Sequence, residues 1–327
     1  MKKTLSVSVA AYNLGDMVLT NLKSMCESKV ADDIEIIVTD DGSKDNTPDI
    51  VEEYAKKYPN TVKLIRKNNE GPGSTVNSGI KNATGKYFRM IDGDDWAQTE
   101  NLEEYVTLLK NTDADLVISD FVYYDNQAQK CLNTVKATLP VGKVVSFDEV
   151  YRNVPQFMHA MTFKTDIFKK NNIVLDNCFY TDVEYMLFPM PFVSTVVYFD
   201  KTIYIYRIAR AGQSVSVDSM KRNIKQHDLV LNHLLDWYNG LQNLTIGQKN
   251  LILMRISEMA KSQLNTLCLF DANKDNKKKV KDYFENIKMK NKMVYKNLKT
   301  TKLSRLLRWS GFLGYGLAVS MLKRRAK

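Results

Sequence analysis

Short apolar stretches of strand length alternate with longer amphipathic stretches over about the first 120 residues, and no other feature restricts the fold as strongly. In the first stretch, Leu5, Val7 and Val9 alternate with small or polar residues, which is the period of a half-buried strand. Strand–helix–strand repeats close through right-handed crossovers, so they predict an α/β fold with a mostly parallel sheet flanked by helices. The predicted strands are Leu5–Ala10, Ile34–Thr39, Val62–Arg66, Tyr87–Ile91 and Asp115–Ser119, and the predicted helices lie near Asp16–Cys26, Pro48–Lys57, Ser74–Asn82 and Asn101–Lys110.

The pattern weakens after about residue 120 and becomes helical from Ser219 onward. Two further short strands are predicted at Val196–Phe199 and Ile203–Arg207. Beyond Ser219 the apolar residues recur at helical spacing. We therefore expect two domains, residues 1–217 with the sheet and residues 218–327 as a C-terminal helical region.

Several classes of protein are excluded by composition and by cysteine spacing. Apolar residues make up 44% and charged residues 26%, which is typical of a globular protein, and no run approaches the about 20 apolar residues that cross a bilayer. No cysteine pair has the CxxC spacing of a metal or redox site, so we expect reduced thiols in a cytoplasmic protein. The start of the chain imitates a secretory signal, but its alternation favours a first strand. The cysteines are Cys26, Cys131, Cys178 and Cys268.

Basic residues are concentrated in one part of the sequence. Residues 274–327 carry 17 Lys/Arg and 3 Asp/Glu, whereas the rest carries 30 and 34, so this segment suits an anionic partner. Nucleic acid is disfavoured because no aromatic residues are interleaved in a stacking pattern. We expect peripheral attachment to an anionic membrane, at its cytoplasmic face, and a solvated basic helix face is the structural alternative. Trp309–Leu322, at 14 residues, is too short to span a bilayer and is suited to lying in its interface.

A polar cluster follows each of the first four predicted strands. The carboxyl ends of parallel strands share one edge of a sheet, and ligands bind in the crevice there. Four clusters in the same position along the pattern therefore predict a single site. The clusters are Tyr12-Asn13, Asp40-Asp41-Gly42-Ser43, Asn68-Asn69-Glu70-Gly71-Pro72-Gly73 and Asp92-Gly93-Asp94-Asp95-Trp96.

The last of these clusters is suited to a divalent cation. Asp92 and Asp94 are two residues apart, so in an extended segment their side chains point the same way, and two such carboxylates repel unless a cation lies between them. Mg²⁺ and Mn²⁺ are held by one or two carboxylates together with substrate phosphates. A divalent-metal and diphosphate site is therefore predicted, and an acidic turn is the alternative. Asp40 and Asp41 are suited to accept hydrogen bonds from a base or ribose, and Tyr12 is suited to stack on a base. The structural alternative is an acidic turn beside a tyrosine buried in the core.

The clusters lie within the motifs SVSVAAYN, VTDDGSKDNT, NEGPGSTVNSGI and KYFRMIDGDDW. Their order and spacing resemble those of the family 2 glycosyltransferases of the GT-A fold. The resemblance is strong over about 120 residues and continues more loosely to Ser216. It implies a Rossmann-like sheet, a nucleotide-sugar donor (UDP being the commonest choice), Mn²⁺ or Mg²⁺, and inversion at the anomeric carbon.

The resemblance also assigns roles to individual residues on the donor side. It implies nucleoside contacts at the ends of the first two strands, a glycine turn that borders the donor, and a D-x-D motif that holds the metal and the diphosphate. The residues so assigned are Ala10, Tyr12 and Asp40 or Asp41 for the nucleoside, Asn68 and Gly71 for the turn, and Asp92, Gly93 and Asp94 for the motif, with Asp95 beside it as a third metal candidate.

The catalytic base implied by the resemblance is Asp182, in the segment Thr181–Tyr185, with Glu184 as the alternative base. The family usually has Glu before this aspartate, and this chain has Thr181. A structural alternative also exists, because Thr181 and Glu184 have the spacing of a helix capping box.

The closing loop of non-processive family members is matched by the stretch from Tyr206 to Ser216, and the Q-x-x-R-W motif of processive synthases is absent. Arg207 and Arg210 are suited to bind the diphosphate. The structural alternative is that both are solvated arginines of a loop. The three histidines show no ligand spacing and are interpreted as structural. They are His159, His227 and His233.

The function implied is metal-dependent, inverting transfer of a sugar from a nucleotide sugar to an acceptor hydroxyl on a glycan or lipid-linked acceptor, in cell-surface or capsular polysaccharide synthesis. Residues 1–120 would bind the donor and residues 121–217 the acceptor. The alternative is a nucleotide-sugar-binding scaffold or partner subunit without turnover. A nucleotidyltransferase is disfavoured because Ala11-Tyr12-Asn13 supplies no glycine-rich triphosphate loop. The oligomeric state stays open between a monomer and a homo-oligomer.

Overall fold

The computed structural model describes residues 3–209 and 217–325. The chain divides into two compact units, Met1–Arg210 and Ala211–Lys327. The first unit contains the strands and the second is helical in its described part.

The ten strands described in the first unit form one sheet. Its strands are β1 (Leu5–Ala11), β2 (Ile34–Asp40), β3 (Val62–Arg66), β4 (Tyr87–Asp92), β5 (Trp96–Ala97), β6 (Leu116–Asp125), β7 (Lys130–Val135), β8 (Val145–Ser146), β9 (Met161–Lys164) and β10 (Thr195–Ile208).

Helices separate the strands of the first unit and make up the second. They are α1 (Met17–Cys26), α2 (Thr47–Lys57), α3 (Pro72–Asn82), α4 (Leu102–Asn111), α5 (Phe147–Val150), α6 (Thr165–Lys170), α7 (Thr181–Leu187), α8 (Val217–Arg222), α9 (Ile224–Gly240), α10 (Ile246–Leu267), α11 (Lys274–Lys290), α12 (Lys292–Leu298), α13 (Lys302–Trp309) and α14 (Tyr315–Arg325).

The strand order is β3-β2-β1-β4-β9-β6-β10-β5, with β7 beside β6 and β8 beside β10. Strands β3, β2, β1 and β4 run parallel, as do β6 and β10, while β9 lies antiparallel between β4 and β6. The predicted α/β class, with a mostly parallel sheet flanked by helices and a helical C-terminal region, is confirmed.

Both faces of the central strands are buried, which explains why these strands are rich in β-branched residues. The flanking helices present apolar residues at helical spacing to the sheet. In α4, for example, Leu102, Tyr105, Val106 and Leu109 are buried at positions i, i+3, i+4 and i+7. The core of the first unit therefore lies between the sheet and these helix faces.

Two predicted elements differ from the structure. β10 is one strand from Thr195 to Ile208 instead of two short strands, because shifts in its register against β6 around Thr202 absorb the polar interruption as a bulge. The predicted helical stretch Trp309–Leu322 is broken at residues 310–314, where Gly311 and Phe312 both adopt positive φ. Among the residues that the structure describes, none of the helices combines the length and the apolar character needed to cross a membrane.

Candidate active site

The register of the parallel strands brings the ends of β1, β2, β3 and β4 to the same edge of the sheet. Ala11 pairs with Asp40, and Asp40 pairs with Arg66 on its other side. Ala10 pairs with Asp92 of β4. The loops that follow these four strands therefore leave the sheet side by side, at the edge where ligands bind in open α/β sheets.

The loops after β1 and β2 are joined by hydrogen bonds. The amide of Asn13 donates to Oγ of Ser43 at 2.9 Å, and the amide of Lys44 donates to Oδ1 of Asn13 at 2.7 Å. Oγ1 of the buried Thr47 accepts from the amide of Leu14 at 2.9 Å. These bonds hold the segment after Tyr12 against the loop after β2.

Tyr12, directly after β1, and Asp40, the last residue of β2, lie in different environments. Tyr12 is 50% exposed, so it is not the core tyrosine of the structural alternative. Asp40 is buried, and both of its carboxylate oxygens accept from the amide of Ser43 at 3.3 Å. Asp40 therefore closes the turn after β2.

Asp41 connects the β2 end to the loop after β3. Its Oδ1 accepts from Nζ of Lys67 at 2.9 Å and from the amide of Glu70 at 3.0 Å, and its Oδ2 accepts from the amide of Gly71 at 2.9 Å. Because the carboxylate is buried and both oxygens are engaged, Asp41 fixes the path of the glycine turn. The adjoining Asn68 has an exposed side chain.

The acidic cluster after β4 is a tight turn and not the extended segment assumed from the sequence. β4 ends at Asp92, and the amide of Asp95 donates to the carbonyl of Asp92 at 3.0 Å, with Gly93 and Asp94 between them. A Cβ on Gly93 would lie 2.5 Å from the carbonyl oxygen of Ala10, so only glycine fits here. The two motif aspartates are thus held on a turn at the end of β4.

Asp95 anchors this turn to β10. Its Oδ2 accepts from the hydroxyl of Tyr204 at 2.6 Å, its Oδ1 accepts from the amide of Arg207 at 2.8 Å, and the Tyr204 hydroxyl itself accepts from the amide of Asp92 at 3.1 Å. Burial, and then the charges of Asp92 and Asp94, raise the pKa of the Asp95 carboxyl well above its usual range. Burial likewise raises the pKa of Tyr204, so its hydroxyl stays protonated and able to donate.

Arg207 braces the acidic turn from the end of β10. Its Nε donates to the carbonyl of Asp94 at 2.7 Å, and its Nη1 donates to Oδ1 of Asn126 at 2.9 Å. The guanidinium lies 4.7 Å from the centre of the Trp96 ring, a cation–π distance. Arg210, predicted with Arg207 to contact the diphosphate, and residues 211–216 of the predicted closing loop lie outside the described residues.

A nitrogen donor, which the sequence analysis did not identify, joins the acidic cluster. Ligand atoms of Asp92, Asp95 and His159 all lie within 4.8 Å of one another. Asp94, predicted as a ligand, is outside this group but close enough to affect the pKa of Asp95. Two carboxylates and an imidazole form a donor set that fits a divalent cation, so the residues present are compatible with the predicted metal.

His159 is held in a form that can ligate. Its ring stacks on Tyr206 at 4.3 Å between centroids and meets Tyr204 edge-on at 4.6 Å. Burial, together with the nearby charge of Arg89, lowers the pKa of His159 to about 3, so the imidazole is neutral. Its Nδ1 is buried without a hydrogen-bond partner among the described residues.

The loop that leads to Asp182 packs directly on the glycine turn at the start of α3. A Cβ on Gly73 would lie 1.7 Å from the carbonyl oxygen of Asp176, and a Cβ on Gly71 would lie 2.7 Å from the carbonyl oxygen of Asn177. Glycine is therefore required at both positions for this approach. The contact brings the segment with the predicted base to the same edge as the donor-side loops.

The two candidate bases on α7 differ in environment. Glu184 is fully buried, and its Oε2 accepts from the amide of Asp176 at 2.6 Å, whereas Asp182 is half-buried in the first turn of the helix. The capping box considered from the sequence is not formed, because Thr181 lies inside the helix and its hydroxyl donates to the carbonyl of Cys178 at 2.7 Å. Glu184 holds the loop, and Asp182 is the more accessible carboxylate.

Residues 6–179, more than half of the chain, match the family model described as Glycosyl transferase family 2. Among curated proteins, the chain is 40% identical over 116 residues to the putative glycosyltransferase EpsH of Bacillus subtilis (strain 168), a match that spans 36% of this chain and 33% of EpsH. The chain thus matches about a third of the length of that relative.

Solved structures share the fold along the whole chain. S. aureus TarS 1-349 in complex with UDP-GlcNAc has a TM-score of 0.68 at 17% identity, covering 99% of this chain and 92% of that one. The mannosyltransferase PcManGT from Pyrobaculum calidifontis, in complex with GDP-Man and Mn²⁺, has a TM-score of 0.56 at 14% identity, covering 100% and 88%. At these identities the likeness shows the fold, which agrees with the GT-A prediction.

Proposed function

Because this chain belongs to glycosyl transferase family 2, we propose that it is a metal-dependent, inverting glycosyltransferase. It moves a sugar from a nucleotide sugar, for which we propose a UDP-sugar, to an acceptor hydroxyl. The UDP preference is supported by the fold likeness to TarS, whose structure was solved with UDP-GlcNAc. The acceptor we propose is a glycan, free or lipid-linked, in cell-surface or capsular polysaccharide synthesis.

One observation carries this proposal: the parallel register of β1, β2, β3 and β4 puts all four polar loops at one sheet edge. The exposed Tyr12 is suited to stack on the base. We propose that Asn68 and Gly71 border the donor beside it. Asp41 contributes by fixing the path of the glycine turn. We propose that residues 1–120 bind the donor and that residues 121–217 carry the acceptor side.

The acidic turn is proposed to hold Mn²⁺ or Mg²⁺ through Asp92 and Asp94, with Asp95 and His159 as further ligands. When bound, the cation neutralises negative charge on the leaving diphosphate. Tyr204 and Arg207 keep the turn in place through their bonds to Asp95. A nitrogen ligand shifts the preference away from Mg²⁺, which favours oxygen donors.

Asp182 is proposed as the general base that takes the proton of the acceptor hydroxyl. A carboxylate in this role has to be reachable by the acceptor, and Asp182 is only partly buried whereas Glu184 is fully buried and bonded to the Asp176 amide. Proton removal as the hydroxyl attacks from the face opposite the diphosphate gives inversion. Arg207 braces the turn, and its contact with the diphosphate stays a prediction.

The test uses the full chain with Mn²⁺, a panel of nucleotide sugars and measurement of nucleotide release and donor binding. Asp182→Asn should abolish turnover while donor binding is retained, because the variant loses only the proton acceptor. Asp166→Asn is the matched control, since Asp166 follows a threonine at the start of α6 as Asp182 does in α7, and it should keep full activity. If the wild-type chain binds a donor but never turns it over, the scaffold alternative replaces the enzyme; if it binds none, the proposal fails.

A further inference from the structure

Four large apolar side chains are exposed along α13, α14 and the turn between them, and we call them the apolar patch: Trp309, Leu313, Leu317 and Met321. Trp309 and Leu313 are 85% and 86% exposed, more than any other large apolar side chain described. Leu317 and Met321 are one helical turn apart and so share one face of α14. A patch of this kind on an otherwise globular surface marks an interaction site.

The same helices are fixed to the second unit by their opposite faces. Leu307 of α13 and Tyr315, Ala318 and Val319 of α14 are buried. In the intervening turn, the ring of Phe312 packs edge-on against Phe284 of α11 at 5.7 Å. The apolar patch is therefore presented by docked helices and is not the inner face of helices that lack a partner.

Cationic side chains flank the apolar patch, and acidic ones are missing from its part of the sequence. Lys302, Arg305 and Arg308 on α13 are exposed, as is Arg324 at the far end of α14. After Glu285 the sequence contains 12 Lys/Arg and no Asp/Glu. The exposed Asp271 pairs with Lys323 of α14 at 2.7 Å. The surface thus combines protruding apolar groups with a predominantly positive surround.

We propose that the apolar patch and its flanking basic residues dock the protein on an anionic phospholipid bilayer. Tryptophan and leucine side chains insert at the boundary between headgroups and acyl chains, while arginine and lysine bind the anionic headgroups. A second copy of the chain fits this surface poorly, because its own basic residues would oppose these. The docking is separate from the proposed sugar transfer, although it would keep the enzyme where lipid-linked acceptors lie.

The test is co-sedimentation of the full chain with phosphatidylcholine vesicles, with and without about 30% phosphatidylglycerol. The wild-type chain should bind only the anionic vesicles. Binding should weaken in about 0.5 M salt, because salt screens the attraction between the basic side chains and the anionic headgroups. Arg305→Gln with Arg308→Gln should lower the partition coefficient about 25-fold, at about fivefold per charge. Trp309→Ser with Leu313→Ser should lower it at least about tenfold.

Matched controls come from the start of α10, where Ile246 is 74% exposed and Lys249 is exposed. Ile246→Ser and Lys249→Gln should leave vesicle binding unchanged. Equal binding to neutral vesicles, or retained binding in the Trp309 and Leu313 variant, would overturn the proposal. The proposal would also be overturned if the wild-type chain bound no vesicles but self-associated, and if the Trp309 and Leu313 variant abolished that self-association. Donor turnover measured on the same variants should stay at the wild-type level, which keeps this test distinct from that of the proposed function.

Discussion

Asn77 and Leu175 are joined by two hydrogen bonds across 98 residues of sequence: Nδ2 of Asn77 donates to the Leu175 carbonyl at 2.8 Å, and its Oδ1 accepts from the Leu175 amide at 2.9 Å. Asn77 lies on α3, directly after the glycine turn, and Leu175 begins the loop that leads to Asp182. The side chain thus acts as a backbone partner for that loop. The position of the proposed base depends on the helix that follows the donor-side loop.

Replacing Asn77 by alanine should therefore uncouple the proposed base from the donor side. Both backbone groups of Leu175 lose their partner, which costs about 1–3 kcal/mol of unfolding free energy for each group left buried without a bond. We expect Asn77→Ala to lower kcat by at least about tenfold while donor affinity changes little. Thermal unfolding, donor titration and nucleotide release measure the three quantities.

Asn82 on the same helix provides the control. It accepts from Nζ of Lys63 at 2.7 Å and donates to the carbonyl of Ser78 at 2.9 Å, away from the Leu175 loop. Asn82→Ala should leave kcat unchanged. If the two variants lose activity equally, Asn77 does not position the base.

The hydroxyl of Tyr204 stabilises the acidic turn through its hydrogen bonds to Asp95 and Asp92. Tyr204→Phe removes this hydroxyl and keeps the ring. The buried Asp95 carboxylate and the Asp92 amide would then lose one bond each. Removal of a side chain that hydrogen-bonds to a metal ligand typically lowers metal affinity or activity about 10–100-fold. We therefore expect Mn²⁺-dependent turnover to fall by about that factor. A shift in the Mn²⁺ concentration at half-maximal turnover is the diagnostic measurement.

Tyr87→Phe separates this effect from a general loss of stability. Tyr87 is also fully buried in the sheet and its hydroxyl also has two partners, the carbonyls of Thr112 and Ala114, but it lies at the opposite end of β4. Both variants should lose a comparable amount of stability. Only Tyr204→Phe should change the metal dependence, and an equal change in both would contradict the assignment.

Strand period and polar clusters were enough to predict the sheet and the edge that carries Tyr12, Asp40 and the acidic turn, because both follow from local sequence. The partners that complete the turn were not predictable in the same way. Tyr204 lies 109 residues from Asp95 along the chain, and it reaches Asp95 only because β10 runs next to β6 and β5. His159 gave no signal because it is far from Asp92 and Asp95 in the sequence. It lies directly before β9 and joins them only through the fold.

Local geometry also limited what the sequence could show. The sequence predicts the D-x-D aspartates on an extended segment, yet the chain turns directly after β4, where the Asp95 amide donates to the Asp92 carbonyl. Gly93 permits this turn because a Cβ there would collide with the Ala10 carbonyl oxygen. Likewise, helical spacing continued through residues 309–322, but Gly311 and Phe312 adopt positive φ and divide that stretch. In both places a close approach or a backbone conformation, and not side-chain periodicity, determines the structure.

Gly73→Ala tests the contact between the glycine turn and the loop before α7. The new Cβ would lie 1.7 Å from the Asp176 carbonyl oxygen, so the backbone of the loop would have to move. Overpacking of this kind typically costs about 1–3 kcal/mol, and we expect a lower Tm together with a loss of turnover. Gly240→Ala, where a Cβ meets nothing within 4 Å, should be neutral or raise stability by up to about 1 kcal/mol. Wild-type turnover in Gly73→Ala would refute the need for this contact.

His227 on α9 should make the stability of the second unit depend on pH. Burial, with a smaller contribution from the charge of Arg255, lowers the pKa of His227 from 6.5 to about 4, against the opposing effect of its hydrogen bond with Gln263. Since the folded-state pKa lies below the unfolded one, the unfolded state binds more protons as the pH falls from 6.5 to 4. Stability is therefore full above pH 6.5 and falls through this window, by up to about 3 kcal/mol.

The variant His227→Gln isolates this contribution, because glutamine keeps a hydrogen-bonding side chain that does not titrate. The measurement is the Tm of the wild-type chain and of the variant at intervals between pH 7.5 and 4.5. We expect the wild-type Tm to fall more steeply than that of the variant below pH 6.5, so that the difference between them shrinks or reverses in acid. Parallel curves would mean that His227 is protonated equally in both states, and burial would then not be the cause of its altered pKa.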